Sequence, residues 1–217
     1  MTNILIIKHG SLGDLIQANG AIEDIKKTNS KSHVVLLTSY LYFDLMSRCP
    51  YVDEVLVDKR LPRWNLFYLY KLKKLLAKYN FVKVFDLQNS SRTKFYKKFI
   101  LKNCDWSSSE STLEPGQKKS DFDKDPVLDR MQLQLKKSNI PTQYIKSIDL
   151  AWAVEDVSRL TRQYASNDYI LVFPFCSKKH QQKKWPFFKN LIYSIKHEFK
   201  NIYPVLIAPG PKEIEEA

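Results

Sequence analysis

A chain of 217 residues with 44% hydrophobic content can bury a core without covalent staples, and its three cysteines, Cys49, Cys104 and Cys176, are odd in number and far apart, which argues against a disulfide scaffold. The four histidines show no ligand spacing and there is no C-x-x-C pair, so a structural zinc site is excluded and a reducing, cytosolic compartment is the simplest expectation. The formal charge of +12 is uneven, with 17 basic against 8 acidic residues over 1–100, an even balance over 101–150 and a small excess after that; such a first half suits nucleic acid, an anionic lipid surface or a phosphorylated or carboxylated substrate, or else only keeps the surface soluble.

Asn3 to Lys8 reads as a buried strand. Its apolar run Ile4-Leu5-Ile6-Ile7 is too short for a signal sequence, and no window approaches the roughly 18 apolar residues of a spanning helix, so a soluble protein is expected. A glycine-containing turn follows, then a helix to about Lys27 with Leu15, Ala18, Ile22 and Ile25 on one face. The unit repeats: strand His33–Thr38, short helix Tyr40–Ser47, strand Glu54–Val57, then a helix Leu66–Lys78 with Leu66, Leu69, Leu72 and Leu76 at helical spacing. Strand Val82–Leu87 and helix Thr93–Leu101 complete a βαβ series, which predicts a parallel sheet with right-handed crossovers.

Residues 105–125 break the pattern and read as a loop or a partly disordered stretch. A helix from about Pro126 to Ser138 stops at Asn139-Ile140-Pro141, and a connector with a short extended piece at Ile148–Ala151 leads on. The alternation then restarts as helix Val154–Ala165, strand Tyr169–Phe173, loop Pro174–Lys184, helix Trp185–Phe199 and strand Pro204–Ala208. Two α/β domains are expected, residues 1–150 and 151–217, the second incomplete.

Three motifs fall where open α/β sheets bind ligands, beyond the carboxyl ends of strands. Lys8-His9-Gly10-Ser11-Leu12-Gly13-Asp14 joins the first strand to the first helix; it is neither a G-x-G-x-x-G fingerprint nor a Walker A loop. Asp14 is either a helix cap or a general base whose carboxylate the helix N-terminus favours. Asp86-Leu87-Gln88-Asn89-Ser90-Ser91-Arg92 ends the fourth strand, and is either a polar lining of the same cleft or a turn in which Asn89 or Ser90 caps the next helix. Ser177 to Pro186 places four lysines ahead of a helix, as a diphosphate site or a solvated face.

Together and in this order, these motifs resemble those of the lipopolysaccharide heptosyltransferases, glycosyltransferase family 9. The resemblance rests on the S-[IL]-G-D turn at Ser11–Asp14, the D-L-Q at Asp86–Gln88 with Arg92 following, and Asp129-Arg130 through Asn139-Ile140. It continues with Lys183-Lys184-Trp185-Pro186, preceded by Ser177, and with Pro209-Gly210-Pro211-Lys212-Glu213. It implies a GT-B fold of two Rossmann-like domains, an acceptor half and a donor half. The implied reaction is inverting, metal-independent transfer of heptose from ADP-heptose, or another nucleotide sugar, to a lipid A-Kdo or core oligosaccharide acceptor. No cofactor and no nucleic acid are implied, and the setting is the cytoplasmic face of an anionic inner membrane.

By the same resemblance Asp14 is the base. Lys183, Ser177, Glu213 and Gly210 bind the donor, and Ser11, Gly13, Gln88, Arg92 and Arg130 bind the acceptor. The sequence departs from the family at Phe175-Cys176, where a glycine usually follows the proline, and a later D-[ST]-G-x-x-H element would lie beyond Ala217. The expectation is therefore a chain that stops partway through its donor domain. The alternative is a non-catalytic acceptor- or nucleotide-binding protein. A basic RNA-binding protein fits poorly, since the aromatics fall on apolar helix faces and no RNP-type motif occurs.

Overall fold

A computed structural model describes residues 2–165, 168–176, 178–199, 203–210 and 213–214. The chain divides into two compact units, Met1–Val154 and Glu155–Ala217. In chain order the first contains β1 (Asn3–Ile7), α1 (Leu12–Thr28), β2 (His33–Ser39), α2 (Phe43–Met46), β3 (Glu54–Asp58), α3 (Leu66–Ala77), β4 (Phe81–Asp86), α4 (Ser91–Phe99), β5 (Asp105–Ser107), α5 (Ser109–Thr112), α6 (Lys119–Phe122) and α7 (Val127–Lys137).

Its five strands are parallel in the order β3-β2-β1-β4-β5, as the βαβ series predicts. β1 is central and its apolar run is continuous because both faces are covered. Ile4 and Ile6 pack with Leu15, Ala18, Ile22 and Ile25 of α1 and with Met131 and Leu135 of α7. Leu5 and Ile7 face the other way, against Tyr68, Leu72 and Leu76 of α3 and Tyr96 of α4. Each fully buried Leu or Ile contributes about 1.5–3 kcal/mol, so β1 anchors both layers. The strand order reverses between β1 and β4, which makes the crevice beyond their carboxyl ends the switch point of the sheet.

Several sequence expectations need correction. Residues 105–107 form an edge strand, paired Lys83 to Asp105 through Phe85 to Ser107, and 109–112 and 119–122 are short helices, so the stretch is ordered. Residues 148–151 form no strand. On α3 the buried stripe runs through Tyr68, Leu72 and Leu76, while Leu66 is 74% exposed.

α1 is also buried on its polar side, because residues 140–153 wrap it. The Asp24 carboxylate accepts the backbone N–H groups of Gln143, Tyr144 and Ile145 at 2.9, 3.0 and 3.1 Å, and Asn19 Nδ2 donates to Asp149 O. Gly20, one turn before Asp24, leaves room for this segment, since a Cβ there would sit 2.1 Å from Tyr144 O.

The second unit holds α8 (Ser158–Thr161), β6 (Ile170–Val172), α9 (Phe188–Glu198) and β7 (Val205–Ile207), with a 3-10 turn at Lys178–Lys183 between β6 and α9. β6 and β7 pair in parallel, so the alternation restarts as expected. The helix expected over Val154–Ala165 is confined to the four residues of α8, and the loop expected over 174–184 contains the 3-10 turn.

Candidate active site

Period-two alternation continues past β1 and sends its next two side chains to opposite faces. Lys8 follows Ile4 and Ile6 toward α1 and α7. It is buried, and its ammonium donates to Leu87 O at 3.0 Å, fastening the end of β1 to the end of β4. Burial pushes Lys8 below the usual lysine range; the Asp14 and Asp86 carboxylates pull the other way, and the Arg130 charge adds to the lowering.

His9 follows Leu5 and Ile7 and is buried between α3 and α4. Its Nε2 lies 2.8 Å from Asp58 Oδ2, off the line of an ideal N–H hydrogen bond. The Tyr68 hydroxyl donates to Asp58 Oδ1, and the Tyr96 hydroxyl donates to Oδ2 at 2.7 Å. Burial alone would raise the Asp58 carboxyl, but His9, Tyr68 and Tyr96 outweigh it and hold it at about 2. Burial and the neighbouring Asp58 carboxylate push Tyr68 upward and Tyr96 to about 12. This network supports the loop from beneath. Sequence reading passes over it, although Asp58 at the carboxyl end of β3 was a usable signal; its tyrosines lie 10 and 38 residues away.

Above this support the backbone turns at Gly10, whose φ of +108° suits glycine, and Ser11 becomes the N-cap of α1. Asp14 is therefore not the N-cap. It is the third helical residue, and its Oδ2 accepts the Ser11 N–H at 2.7 Å and the Ser11 hydroxyl at 2.9 Å. Among the described residues no hydrogen bond reaches Oδ1. Apart from its chain neighbours and its own helix backbone, nothing among the described residues lies within 4 Å of a Cβ built at Gly13, so the space beside the first helical turn is open there.

The second motif closes the same edge. Gln88 Oε1 accepts the His9 N–H at 2.8 Å, a second tie between β1 and β4. Asp86 is buried, and its Oδ1 accepts the N–H groups of Gln88 and Asn89, so it builds the turn rather than lining a cleft. Burial pushes its carboxyl up against these donors. Ser90 caps α4, as the cap reading of this motif predicts. Arg92 reaches the Tyr96 hydroxyl with Nη1 and the carbonyls of Arg60 and Leu61 with Nη2. Arg130 Nη1 donates to Asp123 at 2.9 Å, while its Nε is buried without a partner among the described residues. Both arginines thus hold protein groups in this state.

The predicted donor residues fall in the second unit. Ser177 lies outside the described residues. Lys183 is exposed at the end of the 3-10 turn. Glu213 accepts the Gly210 N–H at 2.8 Å and closes the turn after β7. Beside these loops is an open cavity of about 830 Å³, lined by Phe175, Lys184, Trp185, Lys189, Lys196 and Ile207 among others. Lys184, rather than Lys183, reaches its wall.

A parallel five-stranded sheet followed by a second parallel α/β unit is the architecture of GT-B-like glycosyltransferases, and the likeness extends over nearly the whole chain. The chain is similar to the glycosyl transferase family 9 structure from Veillonella parvula, at 16% identity and a TM-score of 0.68, over 99% of this chain and 65% of that one. It is likewise similar to the E. coli heptosyltransferase WaaC with ADP, at 13% identity and a TM-score of 0.63, over 100% and 71% of the two chains. The E. coli ADP-heptose lps heptosyltransferase II matches at 18% identity and a TM-score of 0.66, over 99% and 66%. At these identities the fold is what is shared, and this chain spans about two thirds of those proteins' length. No family model and no curated protein sequence matches it.

Proposed function

We propose that the protein is an inverting glycosyltransferase that moves a sugar, heptose, from an ADP-linked donor to an acidic glycolipid acceptor of the lipopolysaccharide inner core. The observation that carries this reading is the open first turn of α1 on a family 9 fold: Asp14 is held by Ser11 through one oxygen, with the space above Gly13 clear. In this mechanism Asp14 Oδ1 takes the proton of the acceptor hydroxyl as its oxygen attacks the anomeric carbon, and the bond from that carbon to the diphosphate breaks. Lys183, with Ser177, meets the departing diphosphate charge. Glu213 and Gly210 border the nucleotide, and Gln88, Arg92 and Arg130 border the acceptor. The cavity beside Trp185 is large enough for a nucleotide-sized ligand. The ADP and ADP-heptose analogue in the WaaC structures support the choice of donor.

The test is a donor screen by calorimetry and transfer assay. Asp14→Ala should lower transfer by about 10²–10⁴-fold while leaving ADP affinity nearly intact. Lys183→Ala should weaken ADP binding by about tenfold. Retained turnover in the first variant removes Asp14 from the mechanism, and unchanged ADP affinity in the second returns the lysine run to a solvated face.

A further inference from the structure

α3 carries two kinds of residue on its outward face. Its buried stripe is Tyr68, Leu72 and Leu76, so the opposite side presents Leu66, Phe67 and Tyr70 in the first half and Lys71, Lys73, Lys74 and Lys78 in the second half and just beyond it. Leu66, Phe67 and Tyr70 are 74%, 68% and 63% exposed, and Trp64 in the preceding loop is 80% exposed. Lys71 Nζ sits 4.2 Å from the Phe67 ring centroid, so apolar and cationic groups are interleaved. Over residues 59–78 there are seven Lys and Arg and no Asp or Glu. Among the described residues none of these seven cations has a carboxylate partner.

Exposed aromatics of this number on one short stretch mark an interaction surface. The charge decides the occupant. A protein partner would be met by mixed charge at the rim, whereas a stretch of cations without a single acid complements a surface that is uniformly negative. Trp and Tyr with an apolar body and a polar tip, next to lysines whose stems can lie along apolar surface, fit the headgroup layer of a bilayer.

We infer that the outward face of α3 and the loop before it form a docking surface for an anionic lipid bilayer, with Trp64 and Phe67 entering the headgroup layer and the lysines meeting lipid phosphates. The surface also lies at the right end of the sheet. Ser39 at the end of β2 pairs with Asp58 at the end of β3, and both strands run parallel to β1, so the loop 59–65 leaves the same carboxyl edge as Gly10–Asp14. Tyr40 and Leu41, each 79% exposed, follow Ser39 at that edge and extend the apolar surface. Arg92 fixes the loop in place through the carbonyls of Arg60 and Leu61. A glycolipid held in such a membrane would present its headgroup beside the site. This inference rests on the glycolipid acceptor of the proposed function, but its test uses neither Asp14 nor Lys183.

The full chain is mixed with phosphatidylcholine vesicles made with and without phosphatidylglycerol, and binding is read by co-sedimentation and by tryptophan fluorescence with brominated acyl chains. Binding should need the anionic lipid, and the emission should shift to the blue and be quenched. Read in a background of Trp152→Phe and Trp185→Phe, where only Trp64 and the buried Trp106 emit, Trp64→Phe should keep the binding and lose most of the shift. The pair Trp64→Ser and Phe67→Ser should reduce partitioning by about tenfold or more with an unchanged circular dichroism spectrum. Unaltered partitioning in that pair, absence of quenching, or binding to RNA with none to vesicles overturns the inference. Vesicle binding without any nucleotide-sugar transfer would sink the functional reading alone, and transfer to a soluble acceptor without vesicle binding would sink the docking surface alone.

Discussion

A Cβ at Gly10 would lie 2.2 Å from Tyr42 Cε2, and the backbone there holds φ +108°, so two independent costs fall on any side chain. Gly13 meets neither. It lies in the first turn of α1, where alanine is the better helix former, and the space around it is open. Gly10→Ala should therefore destabilise the protein by about 2 kcal/mol or more, and Gly13→Ala should leave its melting temperature unchanged or slightly raised. If the space over Gly13 admits a ligand, Gly13→Ala should nevertheless lower acceptor affinity or transfer. Equal loss of stability in the two variants would refute the distinction. Asp58 carries a prediction of its own. Its folded value of about 2 is depressed from an unfolded value of about 4, so the stability it adds is present above pH 4 and is lost as pH falls toward 2. The loss is about 2 kcal/mol in order of magnitude. Asp24 and Asp86 are raised by burial and change stability in the opposite sense as acid is added, so the comparison is with Asp58→Asn. The wild-type chain should lose more melting temperature between pH 4 and 2 than that variant does; parallel curves would show that His9, Tyr68 and Tyr96 do not hold Asp58 low.

At the scale of elements, α1 shows what the sequence can and cannot tell. Leu15, Ala18, Ile22 and Ile25 identify the face against the sheet, and all four are buried. The burial of Asn19, Glu23 and Asp24 on the other side depends on residues about 120 positions away, which no local period encodes. Gly20 and Asp24 form the cradle for residues 143–145. Gly20→Ala would push a Cβ against a backbone carbonyl that cannot rotate aside, and Asp24→Asn would withdraw the charged acceptor from three N–H groups. A loss of about 1–3 kcal/mol is expected for Asp24→Asn. Amide exchange at Tyr144 and Ile145 should accelerate in both variants while β1 stays protected; unchanged protection at those two amides would contradict the cradle. β5 escaped the sequence for a related reason. Asp105-Trp106-Ser107 is too short for a period, and it is specified by its partner strand, with Lys83 and Asp105 paired across the edge at 2.6 Å. Four leucines at helical spacing point to a stripe that includes Leu66, but Leu66 is exposed because α3 turns Tyr68 inward, where its hydroxyl donates to Asp58.

For the whole molecule, the parallel sheet and the restart of βα alternation were legible because buried parallel strands read as apolar runs, and the position of Asp14 followed from the first strand-to-helix junction. What lay outside reach was support assembled from three or four separate elements, such as the Asp58 network. The two units also differ in how much they bury. In the first, β1 and β2 are covered on both faces; among the described residues of the second, only Ala165, Val172 and Pro174 are buried, and β6 and β7 form a two-stranded sheet. Two paired strands with little covering are marginal by themselves. Hydrogen exchange should therefore resolve two levels of protection, with the amides of β1, β2 and β4 exchanging only through global unfolding and those of β6 and β7 through a local opening of lower free energy. Denaturant should steeply accelerate exchange of the first class and leave the second nearly indifferent at low concentration, since global unfolding exposes much new surface and the local opening exposes little. A fragment of residues 1–154 should keep the first class of protection intact. If β6 and β7 instead exchange with the same free energy as β1, the units unfold together, and the second is stabilised by more than its own core.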